Sequence, residues 1–508
     1  MTIARHAAAL SVLLIVGALA LPAGAQPLPK PPSPLQPRGL VTSQAGVAPG
    51  YVLFNPSLSK TIFLIDNDGR VVHTWEPPTG GTSNYLRPDG SIVRGARDPS
   101  YLRFKIGGTT GLLQQVDWQG NVTWQWRLAD DRRVLHHDIE PLPNGNLLAL
   151  AWELKTPEEA IAAGRRPDSV TGEGLLFDWV LEIEPVKPDG ARIVWEWHVF
   201  DHLVQDLDPK AANHGDPAQS PGRLDVNAGL SRAVSDEELA QLQALGYVDK
   251  AATPKELRAD FLHVNAIDHH PGLDQIALSV PALGEVWILD HSTTTAQAAG
   301  RSGGRAGRGG DILYRWGNPS AYGRGEGSPQ RLFFQHDVRW IDDGEPGAFN
   351  LTIFNNGRDR PGRPFSSVDE IRPPLLPNGT YSLEDGRPFG PSEPVWTWEL
   401  RSDHFAPFIS GAHRIANGNT LACVGTDGTF VEVDRAGRIV WEFRNPWSGN
   451  VRLADGSLPG PGLDGLPYAV FRATRIPPDH PALVGRNLAP LSPQPEWTQV
   501  EPPAAPEP

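Results

Sequence analysis

The chain has 508 residues, with 45 Lys and Arg against 59 Asp and Glu, a formal charge of −14. Gly (53) and Pro (51) are both abundant, and that many helix breakers exclude a helical solenoid or a coiled coil. The acidic balance argues against general nucleic-acid binding, which needs clustered Lys and Arg. The single cysteine, Cys423, excludes an intramolecular disulfide, a zinc ribbon and a Cys-ligated iron–sulfur cluster.

At the N-terminus, Arg5 and His6 precede an unbroken run of apolar and small residues from Ala7 to Leu21. Ala23-Gly24-Ala25 follows it. This is the pattern of a secretory signal peptide, residues 1–25, with cleavage before Gln26. The run is short for a membrane span, and no cysteine follows to carry a lipid, so no membrane anchor is expected. The mature protein is expected to be periplasmic or secreted. Residues 26–48 are Pro-rich and read as an extended linker.

After the linker one pattern recurs: an acidic turn leading into a β-branched strand with closely spaced aromatics. The first copies run from Ile65-Asp66-Asn67-Asp68-Gly69 into Val71–Trp75, and from Val116-Asp117-Trp118-Gln119-Gly120 into Val122–Trp126. The strands Ile193–Trp197 and Ile312–Trp316 follow. The last two are Val395–Trp398 and, after Val433–Gly437, Ile439–Phe443. Between copies lie Asn-Gly turns such as Asn144-Gly145 before Leu147–Leu150 and Asn417-Gly418 before Thr420–Cys423. Asn-Gly is a strong hairpin signal because both residues accept positive φ cheaply. Several short strands per repeat, in long repeats, predict an all-β β-propeller over residues 49–485. Six blades are expected, or seven if the divergent segment near Phe471 completes another.

Two insertions interrupt the repeats. Residues 198–260 contain Ser235-Asp236-Glu237-Glu238 before Leu239, Leu242 and Leu245, a capping box opening one amphipathic helix. Ala299–Gly310 is rich in Gly and Arg and, lying inside one repeat, reads as a hairpin loop rather than an RNA-binding tract. The Pro-rich tail, 486–508, is expected to be disordered.

Histidines carry the functional signal. His137, His263, His336 and His413 occupy similar places in four repeats, each upstream of the next turn. The innermost strands of a propeller line its channel, so such residues can converge there. Taken singly, each is equally well read as closing a hydrogen bond to a neighbouring blade; their recurrence favours a shared role. One such role is metal binding, for which the sequence shows no tight ligand pair such as His-x-x-x-His on a helix. The other is binding and transfer of a tetrahedral anion, with one neutral imidazole as nucleophile and cationic groups on the oxygens. Arg358 and Arg360, after Ile353-Phe354-Asn355-Asn356-Gly357, supply guanidinium groups.

At these residues the sequence resembles the bacterial arylsulfotransferases that work without the nucleotide donor PAPS. The resemblance rests on Gly50–Phe54 with Leu64–Gly69, His263-Val264-Asn265, Gln335-His336, Phe354–Gly357 and the His413 segment, spanning Gly50 to Trp447. It implies a six-bladed periplasmic propeller that takes a sulfuryl group from an aryl sulfate donor and passes it to a phenolic acceptor, with no cofactor and no metal. It casts His413 as the residue that becomes sulfated, His263 and His336 as its assistants and Arg360 as the sulfate binder, with Arg358 in that role if the register differs. Asn356 and His137 are further substrate-binding candidates. The chain departs from the family pattern in Asn355, where Asp is usual, and in the short stretch before Gly50, which leaves no room for an N-terminal β-sandwich and its dimer contact. A non-catalytic binding propeller and an aryl sulfate hydrolase using the same site are the competing readings. The sulfatase signature Cys-x-Pro-x-Arg is absent, since Val424-Gly425 follows Cys423.

Overall fold

Every acidic turn and aromatic strand of the repeat falls at the rim of a blade in the computed structural model. Residues 36–498 are described, apart from 58, 102, 105, 402, 403, 450–465 and most of 230–258. Six antiparallel sheets form the blades of a propeller. From blade 2 to blade 6 the innermost strands are Gly81–Leu86, Arg133–Pro141, Ala266–His270, His336–Trp340 and Gly411–Arg414. The corresponding fourth strands are Val122–Arg127, Gly190–His198, Tyr314–Trp316, Trp396–Glu399 and Ile439–Arg444. Blade 1 is closed by both halves of the chain: Val470–Ile476 is its innermost strand, hydrogen-bonded to Tyr51–Pro56, with Ile62–Ile65 and Val71–Trp75 outside. The segment near Phe471 therefore completes the first blade rather than adding a seventh.

The hydrophobic core lies between blades, not within them. Six buried clusters each pool residues of two adjacent blades: Leu64 and Trp75 with Ile92 and Val116, for example, and Leu113 and Trp124 with Leu135 and Ile139. The aromatic strands supply the polar complement. Trp124 Nε1 donates to Gly190 O, Trp197 to Gly310 O, Trp316 to Pro391 O, Trp396 to Arg435 O and Trp441 to Asn67 O, at 2.7–3.1 Å. In each case the fourth strand of one blade is tied to the backbone of the next, at a loop or, for Gly190, at the start of a strand. Blade 1 uses His73 instead, whose Nε2 donates to Trp118 O at 3.0 Å while its ring stacks on Trp118. The recurring motif is thus a contact between blades.

Both ends differ from the sequence expectation. Gly39–Ser43, within the expected linker, pairs with Ile439–Arg444 as a fifth strand of blade 6. Residues 486–498, assigned to the tail, lie against the propeller: Leu491 N donates to Val71 O, and Gln494 bonds both the N–H and the O of Val71. One backbone bond and two Gln494 side-chain bonds thus tie this extended segment to Val71 of blade 1. Residues 1–35 and 499–508, with the signal-peptide expectation, lie outside the described residues. So does most of the helix expected after Ser235, although Asp236, Leu239, Ala240 and Gln243 are helical. Ala299–Gly310 is a hairpin loop of blade 4, as expected. An unexpected helix, Pro157–Ala162, follows a capping box of Thr156 and Glu159 with Pro at its first position.

Candidate functional site in the propeller channel

At one end of the channel the chain enters the inner strands through left-handed backbone. His137, His263, Phe334, Asp337, Ile409 and Ser410 hold φ between 47° and 86°, a conformation that costs a non-glycine residue on the order of 1 kcal/mol and clusters at functional sites. His137 sits where the inner strand of blade 3 loses register. Its N–H donates to Gly108 O at 2.7 Å, and its carbonyl accepts from Thr82 Oγ1 and Ser83 Oγ at 2.8 Å each. Gly108 has to be glycine, because a Cβ there would lie 2.1 Å from His137 Nε2.

Three of the four histidines meet. The rings of His137 and His263 are 4.5 Å apart, and the ring of Phe334 lies 6.3 Å from His263 and 5.9 Å from His336. His263 Nδ1 is hydrogen-bonded to the Asp260 carboxylate, which orients the ring. His336 Nδ1 lies 2.8 Å from Asn356 Oδ1. The Asn356 amide cannot turn, because its Nδ2 donates to Ala406 O and Ile409 O. Its oxygen therefore faces His336, Nδ1 carries the proton and Nε2 keeps the lone pair. Arg358, buried, packs its guanidinium 4.6 Å from the centre of the Phe334 ring.

Arg360 stands apart from this group. Its guanidinium lies over Phe365 at 4.0 Å and reaches Ser367 Oγ at 3.4 Å. His413 is also apart: it lies deeper along its strand, where its Nε2 accepts the Arg475 N–H at 3.2 Å. Burial pushes His336 and His136 down to about 3 and His137 well below the ordinary histidine range. His413 is pushed down to about 4 by desolvation and then by Arg339. These imidazoles are neutral at physiological pH.

Beneath the histidines a charged layer fills the channel. Arg472 Nη1 donates to Asp138 Oδ2 at 2.7 Å and to Tyr85 OH at 2.9 Å, and its Nε lies 2.8 Å from Asp337 Oδ1. Arg339 bonds Asp337 Oδ1 at 3.0 Å and Tyr85 OH at 2.9 Å. The layer joins blades 1, 2, 3 and 5. Sequence reasoning did not single out Asp260, Phe334, His136, Tyr85, Arg339 or Arg472. Asp260, three residues before His263, and His136, adjacent to His137, were signalled by proximity alone.

Fold and site together define a six-bladed propeller with a buried cluster of histidines and an adjacent arginine at one channel mouth. The profile of the family described as Arylsulfotransferase (ASST) matches residues 41–371, and the chain belongs to that family. The match covers His137, His263, His336, Asn356, Arg358 and Arg360, and ends before His413. No curated protein matches the chain. Similar solved structures include a protein of unknown function from Bacteroides caccae, 11% identical over 78% of this chain and 94% of that one, with a TM-score of 0.38. The β-propeller domain of Cps50 (Swd1) from Myceliophteria thermophila is 8% identical over 81% and 90%, with a TM-score of 0.35. Apo AztD from Citrobacter koseri is 10% identical over 84% and 98%, with a TM-score of 0.30.

Proposed function

We propose that the protein is an exported aryl sulfotransferase that moves a sulfuryl group from an aryl sulfate to a phenol through a sulfated histidine, without a nucleotide donor. The observation that carries this reading is the convergence of His137, His263 and His336 beside buried Arg358, in a chain of the arylsulfotransferase family. The geometry favours His336 as nucleophile over His413, since Asn356 leaves its Nε2 lone pair available while that of His413 accepts a backbone N–H. His336 Nε2 attacks sulfur, and the bond from sulfur to the aryl oxygen breaks. The His263–Asp260 pair protonates the departing phenolate, as a carboxylate-oriented histidine does in acyl transfer. The same pair then deprotonates the acceptor phenol, whose oxygen takes the sulfuryl group, breaks the N–S bond and restores neutral His336. Arg358 carries the oxyanion charge throughout. Phe334, Phe408 and Ile409, packed together above the histidines, suit the aryl ring.

Release of nitrophenolate from 4-nitrophenyl sulfate by the purified protein, with and without phenol, tests the activity. Release that rises with phenol and yields phenyl sulfate supports transfer. Release indifferent to phenol points to hydrolysis, and none at all, over a panel of aryl sulfates, to a binding propeller. Mapping the trapped sulfuryl group tests the assignment: His336 is expected, and His413 would overturn it.

A further inference from the structure

A second group of histidines lies on the other end of blade 4. His269 is near the far end of the inner strand that His263 precedes, six residues further on, which at about 3.3 Å per residue puts roughly 20 Å between them. The hairpin after His270 returns through Asp274 into Gln275–Val280, and the next strand, Glu285–Asp290, ends beside it. Two backbone bonds hold the corner: Asp274 N donates to His270 O at 2.8 Å and His291 N to Asp274 O at 3.0 Å. Asp274 itself has φ 53°, a left-handed corner that aims its carboxylate back across the hairpin.

The side chains converge on one carboxylate oxygen. Asp274 Oδ1 is 3.2 Å from His269 Nε2 and 2.9 Å from His291 Nδ1, and the three ligand atoms lie within 4.8 Å of one another. His291 Nε2 faces Glu182 Oε2 at 3.1 Å, and the other Glu182 oxygen is held by Asn144 and Asn146. This is a metal ligand's usual outer partnership, in which a carboxylate takes the proton of one ring nitrogen and turns the other nitrogen toward the ion. With Nε2 turned to Glu182, the His291 ring directs Nδ1 to the same Asp274 oxygen that His269 Nε2 approaches, so three ligand atoms face one point. Zn–N and Zn–O bonds of 2.0–2.2 Å place tetrahedral ligand atoms roughly 3.4 Å apart, close to the two separations observed. Arg305, with Nη2 at 3.7 Å from Asp274 Oδ2, is the opposing cation, and it is largely exposed on the Gly/Arg-rich loop.

We propose that His269, Asp274 and His291 bind one transition-metal dication of the zinc class, with Glu182 of blade 3 as outer partner to His291. Two imidazoles and one carboxylate suit zinc, cobalt or nickel rather than magnesium or calcium. Because Glu182 belongs to blade 3 and the ligands to blade 4, the ion stiffens the junction of the two blades. Its role is structural and independent of the reaction proposed for the channel mouth.

The test titrates the full, EDTA-treated protein with Zn2+ by calorimetry and with Co2+ by visible absorption. One equivalent of Zn2+ is expected, with four-coordinate Co2+ bands and a rise in melting temperature. Affinity is expected to fall at least tenfold in His269→Ala and Asp274→Asn, roughly 10–100-fold in Glu182→Gln, and not at all in His336→Gln. Absence of saturable binding, binding indifferent to the first two substitutions, or binding lost in His336→Gln overturns the proposal. Should the ligand variants fold poorly, the Co2+ spectrum of the native protein decides: bands of an octahedral aquo ion count against the site.

Discussion

At the residue scale the two arginines of one loop separate cleanly. Arg358 lies against Phe334, which bridges His263 and His336, whereas Arg360 faces Phe365 and Ser367. If the sulfuryl charge is held at the histidines, Arg358→Ala should lower transfer on the order of 10²–10³-fold, and Arg360→Ala by less than about tenfold. Nitrophenolate release by the two variants checks this, and the reverse order would restore Arg360 as the anion binder. Asn356 makes a second case. Asn356→Leu keeps the volume but frees the His336 tautomer, so transfer should fall roughly 10²-fold, as it does where a histidine loses its orienting partner. Measured kcat should carry the loss, with KM little changed. The sequence made these residues visible because Asn356 and Arg358 sit in one quoted run with a family likeness. It did not make their order of importance visible. Which of two arginines two positions apart turns inward depends on the left-handed backbone at Phe334 and Asp359, and Phe334, unlike Asp359, is not of a type that announces positive φ. The metal-ligand group was equally hidden: His269, Asp274 and His291 follow no ligand spacing, and only hairpin register brings them together.

At the element scale, the strands were legible where the period of two and the Asn-Gly and Asp-Gly turns coincide. All six aromatic strands are the fourth strands of their blades, and both quoted Asn-Gly turns join first to second strands. What could not be read was what those aromatics do, because their partners lie in the next blade, up to 113 residues away for Trp197 and Gly310. The pairing of chain ends was hidden for the same reason. Nothing local in Val470–Ile476 says that it pairs with Tyr51–Pro56. The inter-blade bonds support a comparison. Trp124 donates to Gly190 O, while buried Trp75 Nε1 finds no partner among the described residues. Trp124→Phe loses a hydrogen bond as well as packing and strands a carbonyl; Trp75→Phe loses only part of the ring. The first should cost about 1 kcal/mol more than the second in urea unfolding, and equal costs would show that these bonds contribute nothing net.

At the scale of the whole molecule, a ring of blades closed over buried, neutral histidines should be sensitive to acid. His336 and His136 are pushed down to about 3 by burial, and His137 is held well below the ordinary histidine range, against about 6.5 in an unfolded chain. Below pH 6.5 the unfolded chain therefore takes up protons that the native chain refuses. Each such group removes stability as pH falls, at a slope approaching 1.4 kcal/mol per pH unit, until the folded value is reached. Buried acids act in the opposite sense. Asp268 is pushed up to about 7, and Glu140 and Asp178 are raised well above their ordinary range, all by desolvation. The native chain keeps these protons where the unfolded chain has lost them, so their contribution is present at low pH and lost as pH rises. The net wild-type slope is a partial cancellation, and one substitution isolates the histidine part. Between pH 7 and pH 5, His336→Gln should lose roughly 2 kcal/mol less stability than the wild type, read from urea midpoints of both proteins at the two pH values. Parallel losses would mean that His336 is protonated in the folded protein at pH 5, and a protonated His336 cannot serve as the neutral nucleophile there.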